Sequence, residues 1–509
     1  MNFAEIKNAL AAHPLFGNGK TWKLSPDAFP FTPQLRSQLD ALGNAALAFY
    51  RALERLYLAS ANDQKILRNG TLRAPWVAPL LDRGKPPQLV AHQRAKSLAG
   101  TIPPVIRPDL LICNDGFALT EFDSVPGGIG LTAFLNKLYA LPQNPGQNSG
   151  RAAETPSMLT LFFDAVARGN ADASIAVAVS DESADYRPEF EFLAEKLRAA
   201  GKKIFVCHPN ELQIRTENPT PFPPRNADGR TLRRDAAADG VFLHGEKINV
   251  IYRFFELFDL GNVAAADALF RAVERGSVAV LPPMRAFQEE KMSLALLHHP
   301  TLFPFWQEAL GEENFAFLTR LVPETRIVEP TPERGLPASA VLLAPTVSGR
   351  AIRDWRELAD APRRDRDLVL KASGFDATAW GARSVTVGCD ASQSEWRAAV
   401  EAALASAREK NSLFVVQRFR KPMRLEHAVF DARGNVVPAS GRVRICPYYF
   451  VIPAEKSVGN GAAATRREGT SVSAARERVV LGGALCTFCP TDKKIIHGMS
   501  DAVLVPCAL

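Results

Sequence analysis

The sequence predicts a mixed α/β (α+β) protein that contains a region of parallel sheet. Residues 107–136 alternate as two short strands around a turn and then pass through a Pro-Gly-Gly turn into a helix that begins near Leu131. Residues 173–207 follow the order strand, helix, glycine, strand, which is typical of a βαβ unit. Together the two patterns predict a fold that combines an antiparallel hairpin with a parallel sheet.

Length and composition are those of an ordinary globular protein. The chain has 509 residues, of which 47% are hydrophobic and 23% charged, so it can bury a large core and form two or three structural units. Its net charge of +7 suits a small anionic substrate such as a nucleotide. That charge is too modest for this length to argue for a nucleic-acid partner.

The pattern of a membrane or secreted protein is not evident in the sequence. No apolar run approaches the roughly twenty residues that span a bilayer. Residues 1–16 lack a basic segment followed by an uninterrupted apolar one. The seven cysteines are odd in number and scattered, as is typical of reduced thiols. We therefore expect a cytoplasmic protein without a signal peptide or a membrane partner.

Two helices and a βαβ unit follow from hydrophobic spacing. Residues 33–60 carry apolar side chains at helical spacing and predict an amphipathic packing helix. A second, apolar helix is predicted from Met158 to Val166. In the βαβ unit the strands are Ile175 to Val179 and Ile204 to Cys207, with the helix Pro188 to Ala199 between them.

Polar side chains follow the first strand of the βαβ unit. Asp181, Glu182 and Tyr186 come after its carboxyl end, where open α/β sheets place ligands. They are candidates for holding a substrate, and helix capping is the alternative.

A later hairpin is predicted to deliver two further candidates. Its strands are Val241 to Leu243 and Ile248 to Tyr252, and Arg253 and Glu256 follow. A guanidinium group forks onto paired oxygens, so Arg253 could hold a carboxylate or a phosphate. A structural Arg253–Glu256 ion pair is the alternative.

The charged residues of the first hairpin share one face if its turn has three residues. With Asn114-Asp115-Gly116 as the loop and a left-handed glycine, Asp109 faces Glu121 and Arg107 faces Asp123. A two-residue Asp115-Gly116 loop would separate Asp109 from Glu121. The opposite face carries the apolar residues Ile106, Leu110, Ile112 and Phe122.

Three carboxylates beside one arginine repel each other unless a further cation joins them. Magnesium suits such a group, because it takes a few carboxylates, keeps its waters and is completed by substrate phosphates. A hairpin with a solvated acidic face is the alternative.

The order Arg107, Asp109, Glu121, Asp123 resembles the magnesium and transition-state arginine motif of glutathionylspermidine synthase and its circularly permuted ATP-grasp relatives. In that family the last position is typically Asn. The resemblance implies a circularly permuted ATP-grasp fold with the βαβ unit inserted on the substrate side. It also implies magnesium on Asp109, Glu121 and Asp123, with Arg107 offsetting charge on a transferring phosphoryl group.

Two lysines are the candidates for holding ATP. Lys291 opens a leucine-rich stretch that resembles a segment of the same synthetases in which the lysine contacts ATP. Lys371 ends a buried-strand pattern and is followed by Ala372-Ser373-Gly374. A strand, a lysine and a small-residue loop suit a triphosphate, with Gly374 allowing close backbone approach. The loop is not a Walker A motif.

The adenine and substrate ends of the site rest on three further residues. Gln417 follows the strand Leu413 to Val416, and by resemblance it meets adenine; a surface glutamine is the alternative. Arg442 and Arg444 alternate along one strand and point the same way, so they could neutralise a phosphate or a substrate carboxylate. A solvated strand face is the alternative.

Two loops and a cysteine-containing tail complete the chain. Residues 214–239 predict a mobile loop or insertion, and residues 454–475 predict a lid or a disordered loop. In the tail, zinc could be bound by Cys486, Cys489, His497 and Cys507, but their spacing matches no standard finger, and structural thiols are the favoured interpretation.

The sequence thus predicts four regions. They are an N-terminal helical region with the metal-binding hairpin (1–170), an α/β substrate-side domain (171–280), an ATP-grasp nucleotide-binding region (281–430) and C-terminal strands that complete the core (431–509).

The predicted function is an ATP- and magnesium-dependent carboxylate-amine ligase that works through an acyl phosphate. Its partners would be a small carboxylate and a small amine. A kinase-like phosphotransferase and a non-catalytic nucleotide-binding protein on the same scaffold are the alternatives.

Overall fold

The computed structural model describes residues 2–12, 22–139, 157–215, 240–330, 345–379, 381–409, 412–454, 477–491, 496 and 502–509. Most of the two loops predicted at 214–239 and 454–475, together with His497, lie outside these residues.

The described helices are numbered in chain order. They are α1 (Phe3–Ala11), α2 (Pro33–Ala61), α3 (Val77–Asp82), α4 (Pro87–Gln93), α5 (Ile129–Leu138), α6 (Met158–Ala167), α7 (Arg187–Ala199), α8 (Ala266–Glu274), α9 (Met292–Leu297), α10 (Phe303–Leu310), α11 (Glu312–Leu321), α12 (Arg356–Ala359) and α13 (Gln393–Glu409).

The described strands are numbered in the same way. They are β1 (Phe29–Pro30), β2 (Val105–Cys113), β3 (Gly116–Asp123), β4 (Ile175–Val179), β5 (Ile204–Cys207), β6 (Gln213–Arg215), β7 (Gly240–Leu243), β8 (Glu246–Ile248), β9 (Val250–Phe254), β10 (Ala279–Leu281), β11 (Thr325–Val328), β12 (Thr346–Val347), β13 (Arg350–Ala351), β14 (Leu368–Ala372), β15 (Thr386–Val387), β16 (Phe414–Arg418), β17 (Leu425–Phe430), β18 (Val436–Pro453), β19 (Glu477–Pro490) and β20 (Val503–Ala508).

A seven-stranded sheet joins the two ends of the chain. Its order is β1-β20-β19-β18-β2-β3, with β17 also paired to β18. The early hairpin β2–β3 therefore lies beside strands that come more than 300 residues later, because β2 pairs antiparallel with β18 through Leu110 and Ile445. One face of this sheet packs on α2, whose Leu42, Leu53 and Leu56 are fully buried.

The βαβ unit predicted from residue 173 is confirmed and belongs to a four-stranded parallel sheet of order β10-β9-β4-β5. The hairpin predicted before Arg253 is correct only in part. Its second strand divides at Asn249: β8 completes a small antiparallel sheet with β7, and β9 joins the parallel sheet beside β4. The division places the end of β9, rather than a hairpin tip, at a cavity that Phe254 and Glu256 help to line.

A four-stranded antiparallel sheet, β11-β16-β14-β15, carries the second predicted lysine. Residue Val369 on β14 pairs with Gln417 on β16, so Lys371 and Gln417 lie on adjacent strands. Helix α13 covers one side of this sheet and buries Trp396 against it. Within the described residues, no helix is both long and apolar enough to cross a membrane.

Candidate functional site

One cavity of about 1580 Å³ is lined by side chains from all three larger sheets. Among the predicted site residues, all except Arg253, Asp181 and Glu182 line it. The lining residues are Arg107, Asp109, Glu121, Asp123, Tyr186, Glu256, Lys291, Lys371, Gly374, Gln417, Arg442 and Arg444.

The first hairpin has the predicted residue pairing, but its turn is shorter than predicted and a bulge compensates for the difference. Asp109 faces Glu121 and Arg107 faces Asp123, as predicted. The turn has two residues, Asn114 and Asp115, rather than three, and Gly116 at φ 117° already pairs with Cys113. A bulge between Asp109 and Leu110 restores the register.

The bulge leaves Thr120 as the extra residue. Its hydroxyl donates to the backbone oxygen of Asp109 at 3.0 Å. The backbone oxygen of Thr120 consequently remains available to a side chain from another part of the fold, and Lys371 takes it.

Asp109 lies between two guanidinium groups. It accepts hydrogen bonds from Arg107 Nε at 3.2 Å and Arg444 Nη1 at 3.0 Å, and its side chain is 3% exposed. Burial alone would raise the pKa of Asp109, but the charges of Arg444 and Arg107 outweigh burial and lower it. Asp109 is therefore a carboxylate that orients both arginines toward the cavity.

Arg107 is held at three points on the cavity wall. Besides its contact with Asp109, its Nη2 lies 2.6 Å from Asp123 Oδ2 and its Nη1 donates to the backbone oxygen of Gly127 at 3.1 Å. Burial raises the pKa of Asp123; Arg107 opposes this, and the carboxylates of Asp109 and Glu121 add to it. A further cation near Asp123 would stabilise its charged form.

Both predicted lysines reach the first hairpin. Lys291 Nζ lies 3.3 Å from Glu121 Oε2 and donates to the backbone oxygen of Ala379 at 2.8 Å. Lys371 Nζ donates to the backbone oxygen of Thr120 at 2.7 Å and to Gln417 Oε1 at 3.1 Å. Burial lowers the pKa of Lys371 to about 8, partly offset by the nearby Glu121.

Gly374 and Gln417 line the cavity with their polar groups already engaged. The N–H of Gly374 donates to Glu290 Oε2 at 2.9 Å. A Cβ at position 374 would lie 2.1 Å from the backbone oxygen of Glu289, which accounts for glycine there. Gln417 Nε2 donates to the hydroxyl of Thr325 at 2.9 Å. The Gly374 amide is thus anchored to a side chain, whereas the sequence predicted that this loop offers its N–H groups to a phosphate.

Arg253 has a structural partner that the sequence analysis missed. It is fully buried, forms an ion pair with Glu289 and donates to the backbone oxygen of Phe255 at 2.5 Å. The alternative of a structural pair was right in kind, but the partner is Glu289 and not Glu256. An acidic residue beside a lysine is common on a helix surface, so the sequence around Glu289 gives no signal for this ion pair.

Glu256 lines the cavity, and its carboxylate forms no hydrogen bond or ion pair with another described residue. Burial and the neighbouring Glu289 carboxylate raise the pKa of Glu256 to about 8, although Arg253 opposes the shift. Glu256 is therefore suited to exchanging a proton near neutral pH.

Arg442 and Arg444 point into the cavity from the same face of β18, as predicted. Arg442 Nη1 donates to the backbone oxygen of Thr491 at 3.1 Å. Thr487, which pairs with Arg444 across β18 and β19, is fully buried, lines the cavity and has no hydrogen-bond partner for its hydroxyl among the described residues. No local sequence signal distinguishes this threonine from other strand residues.

The candidates after β4 divide between the cavity and the surface. Tyr186 lines the cavity, and its ring fills the space beside Gly127. Glu182 pairs with Arg383 at 3.1 Å. Asp181 has a fully exposed side chain and lies 3.7 Å from His208.

The carboxylates of the hairpin offer the oxygen ligands that magnesium prefers. Within the described part of the chain, however, no group of three His, Cys, Asp or Glu residues is placed to hold a metal ion. Asp109 is buried between Arg107 and Arg444. Glu121 and Asp123 each contact one cation as well, but their side chains are 30% and 29% exposed. Glu121 and Asp123 therefore fit a metal ion that arrives with phosphate ligands.

Among the described residues of the tail, no cluster of side chains is placed to hold a metal ion either. Cys486, Cys489 and Cys507 are buried on β19 and β20 and form no disulfide. Burial raises the pKa of Cys486 and of Cys507 well above the usual range, which suits packed structural thiols.

No protein-family model and no curated protein sequence matches this chain. Among solved structures, a glutathione synthetase-like effector from Globodera pallida in its apo form is 13% identical, with a TM-score of 0.52, over 99% of this chain and 96% of that one. At this identity the similarity shows the fold alone, and it confirms the predicted mixed α/β, ATP-grasp-like class.

Two more distant structures have TM-scores too low to support an argument. A putative gamma-glutamylcysteine synthetase from Methylobacillus flagellatus is 13% identical (TM-score 0.38; 84% of this chain, 85% of that one). D-alanyl-alanine synthetase A from Vibrio cholerae is 11% identical (TM-score 0.23; 65% of this chain, 88% of that one). The resemblance to glutathionylspermidine synthase in particular stays a prediction.

Proposed function

We propose that this protein is an ATP- and magnesium-dependent carboxylate-amine ligase. ATP would phosphorylate a substrate carboxylate to give an acyl phosphate and ADP. An amine would then attack the acyl carbon, so that a C–N bond forms, the C–O bond to phosphate breaks and inorganic phosphate leaves.

The observation that carries this proposal is the meeting of Lys291, Lys371 and the first hairpin in one cavity. Lys291 contacts Glu121, and Lys371 contacts Thr120 next to it, although both lysines come from distant parts of the chain. Two ammonium groups beside carboxylates at a cavity wall suit a polyphosphate with its metal ion.

The chain's own groups have separate tasks in this chemistry. Lys291 and Lys371 would bind the polyphosphate, with Gln417 lying beside Lys371 at the nucleotide end. Arg107, anchored by Asp109 and Asp123, would offset the negative charge on the transferring phosphoryl group. Magnesium held by Glu121 and Asp123 would neutralise phosphate oxygens when bound.

The remaining cavity walls suit the other two substrates. Arg444, aimed by Asp109, and Arg442 offer positive charge for the carboxylate that is to be phosphorylated. Glu256 offers a carboxylate with a raised pKa that can take the proton released when an ammonium group becomes a nucleophile. The cavity volume exceeds the range of about 300–1000 Å³ usual for a single small ligand.

The proposal is tested by measuring phosphate release from MgATP with panels of amino acids, small peptides and polyamines, singly and in pairs. The ligase predicts free phosphate that requires both an acid and an amine. Phosphate transferred to an acceptor and never released would favour a phosphotransferase, and ATP binding without turnover would favour a non-catalytic nucleotide-binding protein. None of the seven cysteines forms a disulfide, which agrees with a reducing compartment such as the cytoplasm.

A further inference from the structure

The segment Glu289-Glu290-Lys291 divides its side chains between the cavity and the interior. Glu289 and Lys291 both line the cavity. Glu290, between them, turns the other way, and its side chain is 1% exposed. A buried carboxylate between two site residues calls for a physical reason, because burying a charge is costly unless it is paired and hydrogen-bonded.

Glu290 is fully engaged by groups from two other segments. One oxygen forms an ion pair with Lys85, whose side chain is 0% exposed. The other accepts hydrogen bonds from the hydroxyl of Ser373 and from the N–H of Gly374, the latter at 2.9 Å. Ser373 Oγ also accepts from the N–H of Met292 at 3.2 Å, which closes a second link between the same two segments.

These contacts join the two segments that carry the site lysines. Lys291 follows Glu290 directly, and Lys371 lies two residues before Ser373 on β14. The glycine at 374 permits this approach, because a Cβ there would lie 2.1 Å from the backbone oxygen of Glu289. One buried carboxylate and its partners therefore link the two backbone segments that carry the site lysines.

We propose that Glu290, paired with the buried Lys85, is a positioning residue that fixes the spacing of Lys291 and Lys371 for a polyphosphate ligand. The inference rests on the proposed function for the identity of that ligand. Neither Glu290 nor Lys85 lines the cavity. Glu290 and Lys85 act by holding the two site lysines in place. A misplacement of about 1 Å in such a site can lower the reaction rate on the order of 100-fold.

The test compares Glu290→Gln with a matched control, Glu54→Gln. Glu54 forms another buried ion pair, with Arg285 at 2.7 Å, and neither partner lines the cavity. Both substitutions leave a buried cation without its carboxylate, so both are expected to lower the Tm. Only Glu290→Gln is expected to weaken MgATP binding in isothermal titration calorimetry, by about ten-fold or more.

A second readout does not depend on ATP. Hydrogen exchange of the peptide that contains Ser373 and Gly374 should accelerate in Glu290→Gln and remain as in the wild type in Glu54→Gln. Should Glu290→Gln fail to fold, Ser373→Ala is the second variant. It keeps the ion pair and the Gly374 N–H bond to Glu290, removes both hydrogen bonds of the Ser373 hydroxyl, and should give a smaller loss of MgATP affinity.

Equal MgATP affinity in the wild type and Glu290→Gln, or in the wild type and Ser373→Ala if only that variant folds, would overturn the positioning role. Unchanged exchange of the 373–374 peptide would overturn it as well. A wild-type protein that binds no MgATP would instead overturn the proposed function, and with it the ligand for which the lysines are positioned.

Discussion

Lys371 Nζ lies 2.7 Å from the backbone oxygen of Thr120, a residue 251 positions earlier in the chain. The contact joins the small antiparallel sheet to the bulge of the first hairpin. The backbone oxygen of Thr120 is available to Lys371 because Thr120 is the extra residue of that bulge and does not pair with β2. The register of the first hairpin thus leaves free the backbone oxygen that the Lys371 ammonium group contacts.

The pKa of Lys371 predicts how MgATP affinity depends on pH. With its pKa lowered to about 8 by burial, Lys371 is neutral in the free protein above that pH. A bound polyphosphate favours the charged form, so affinity should fall as pH rises above about 8, by up to about ten-fold per pH unit. Calorimetry between pH 7 and 9 in buffers of different ionisation enthalpy would show proton uptake on binding. Lys371→Met should bind weakly and without this uptake; an equal uptake in that variant would contradict the assignment.

Asp109 and Glu121 should respond differently to loss of charge. Asp109→Asn removes a buried carboxylate from two guanidinium groups and should lower the free energy of unfolding by about 3 to 5 kcal/mol. Glu121→Gln changes a side chain that is 30% exposed and should leave the fold intact while weakening the magnesium dependence of ATP binding. Denaturant melts and magnesium titrations separate the two effects. Equal stability losses in the two variants would contradict the different roles.

Gly374→Ala should destabilise the loop after β14. The new Cβ would lie 2.1 Å from the backbone oxygen of Glu289, so the two segments must separate. We expect a loss of about 1 to 3 kcal/mol, as for other overpacked sites, together with weaker MgATP binding. Gly261→Ala is the control, since a Cβ there meets no atom within 4 Å. If Gly374→Ala were as stable as that control, the close approach would not constrain this position.

Glu256 should make the protein less stable as pH rises. Its folded-state pKa is raised to about 8 from 4.5, so the folded protein binds more protons than the unfolded chain between these values. Its favourable contribution is present below about pH 4.5 and is lost as pH rises through 8. Glu256→Gln removes this loss, so the Tm of the variant relative to the wild type should increase from pH 5 to pH 8. A constant difference, like that expected for the exposed Glu401→Gln, would argue against a buried carboxylate at 256.

The sequence predicted which elements form better than it predicted what their side chains contact. The βαβ unit and helix α2 follow local spacing, and both are confirmed. The pairing of Asp109 with Glu121 is correct, but it depends on a bulge that compensates for a shorter turn, and no motif announces that bulge. Local patterns therefore located the hairpin without revealing its detailed geometry.

The contacts that could not be predicted are those between distant segments. Arg253 pairs with Glu289 because β9 ends beside the segment that follows β10. Lysine is usually a surface residue, yet Lys85 is buried against Glu290. Spacing also cannot distinguish a metal ligand from the counter-ion of an arginine. In this structure Asp109 is the counter-ion of Arg107 and Arg444.

Titration with MgATP in isothermal titration calorimetry tests most directly whether Lys291 and Lys371 hold one nucleotide in the same cavity. The proteins compared are the wild type, Lys291→Met and Lys371→Met, with the exposed Lys196→Met as the control. We predict one MgATP per chain for the wild type and the control, and strongly weakened binding in both site variants. Wild-type affinity in both Lys291→Met and Lys371→Met would show that these lysines do not hold the nucleotide, and would contradict the central claim.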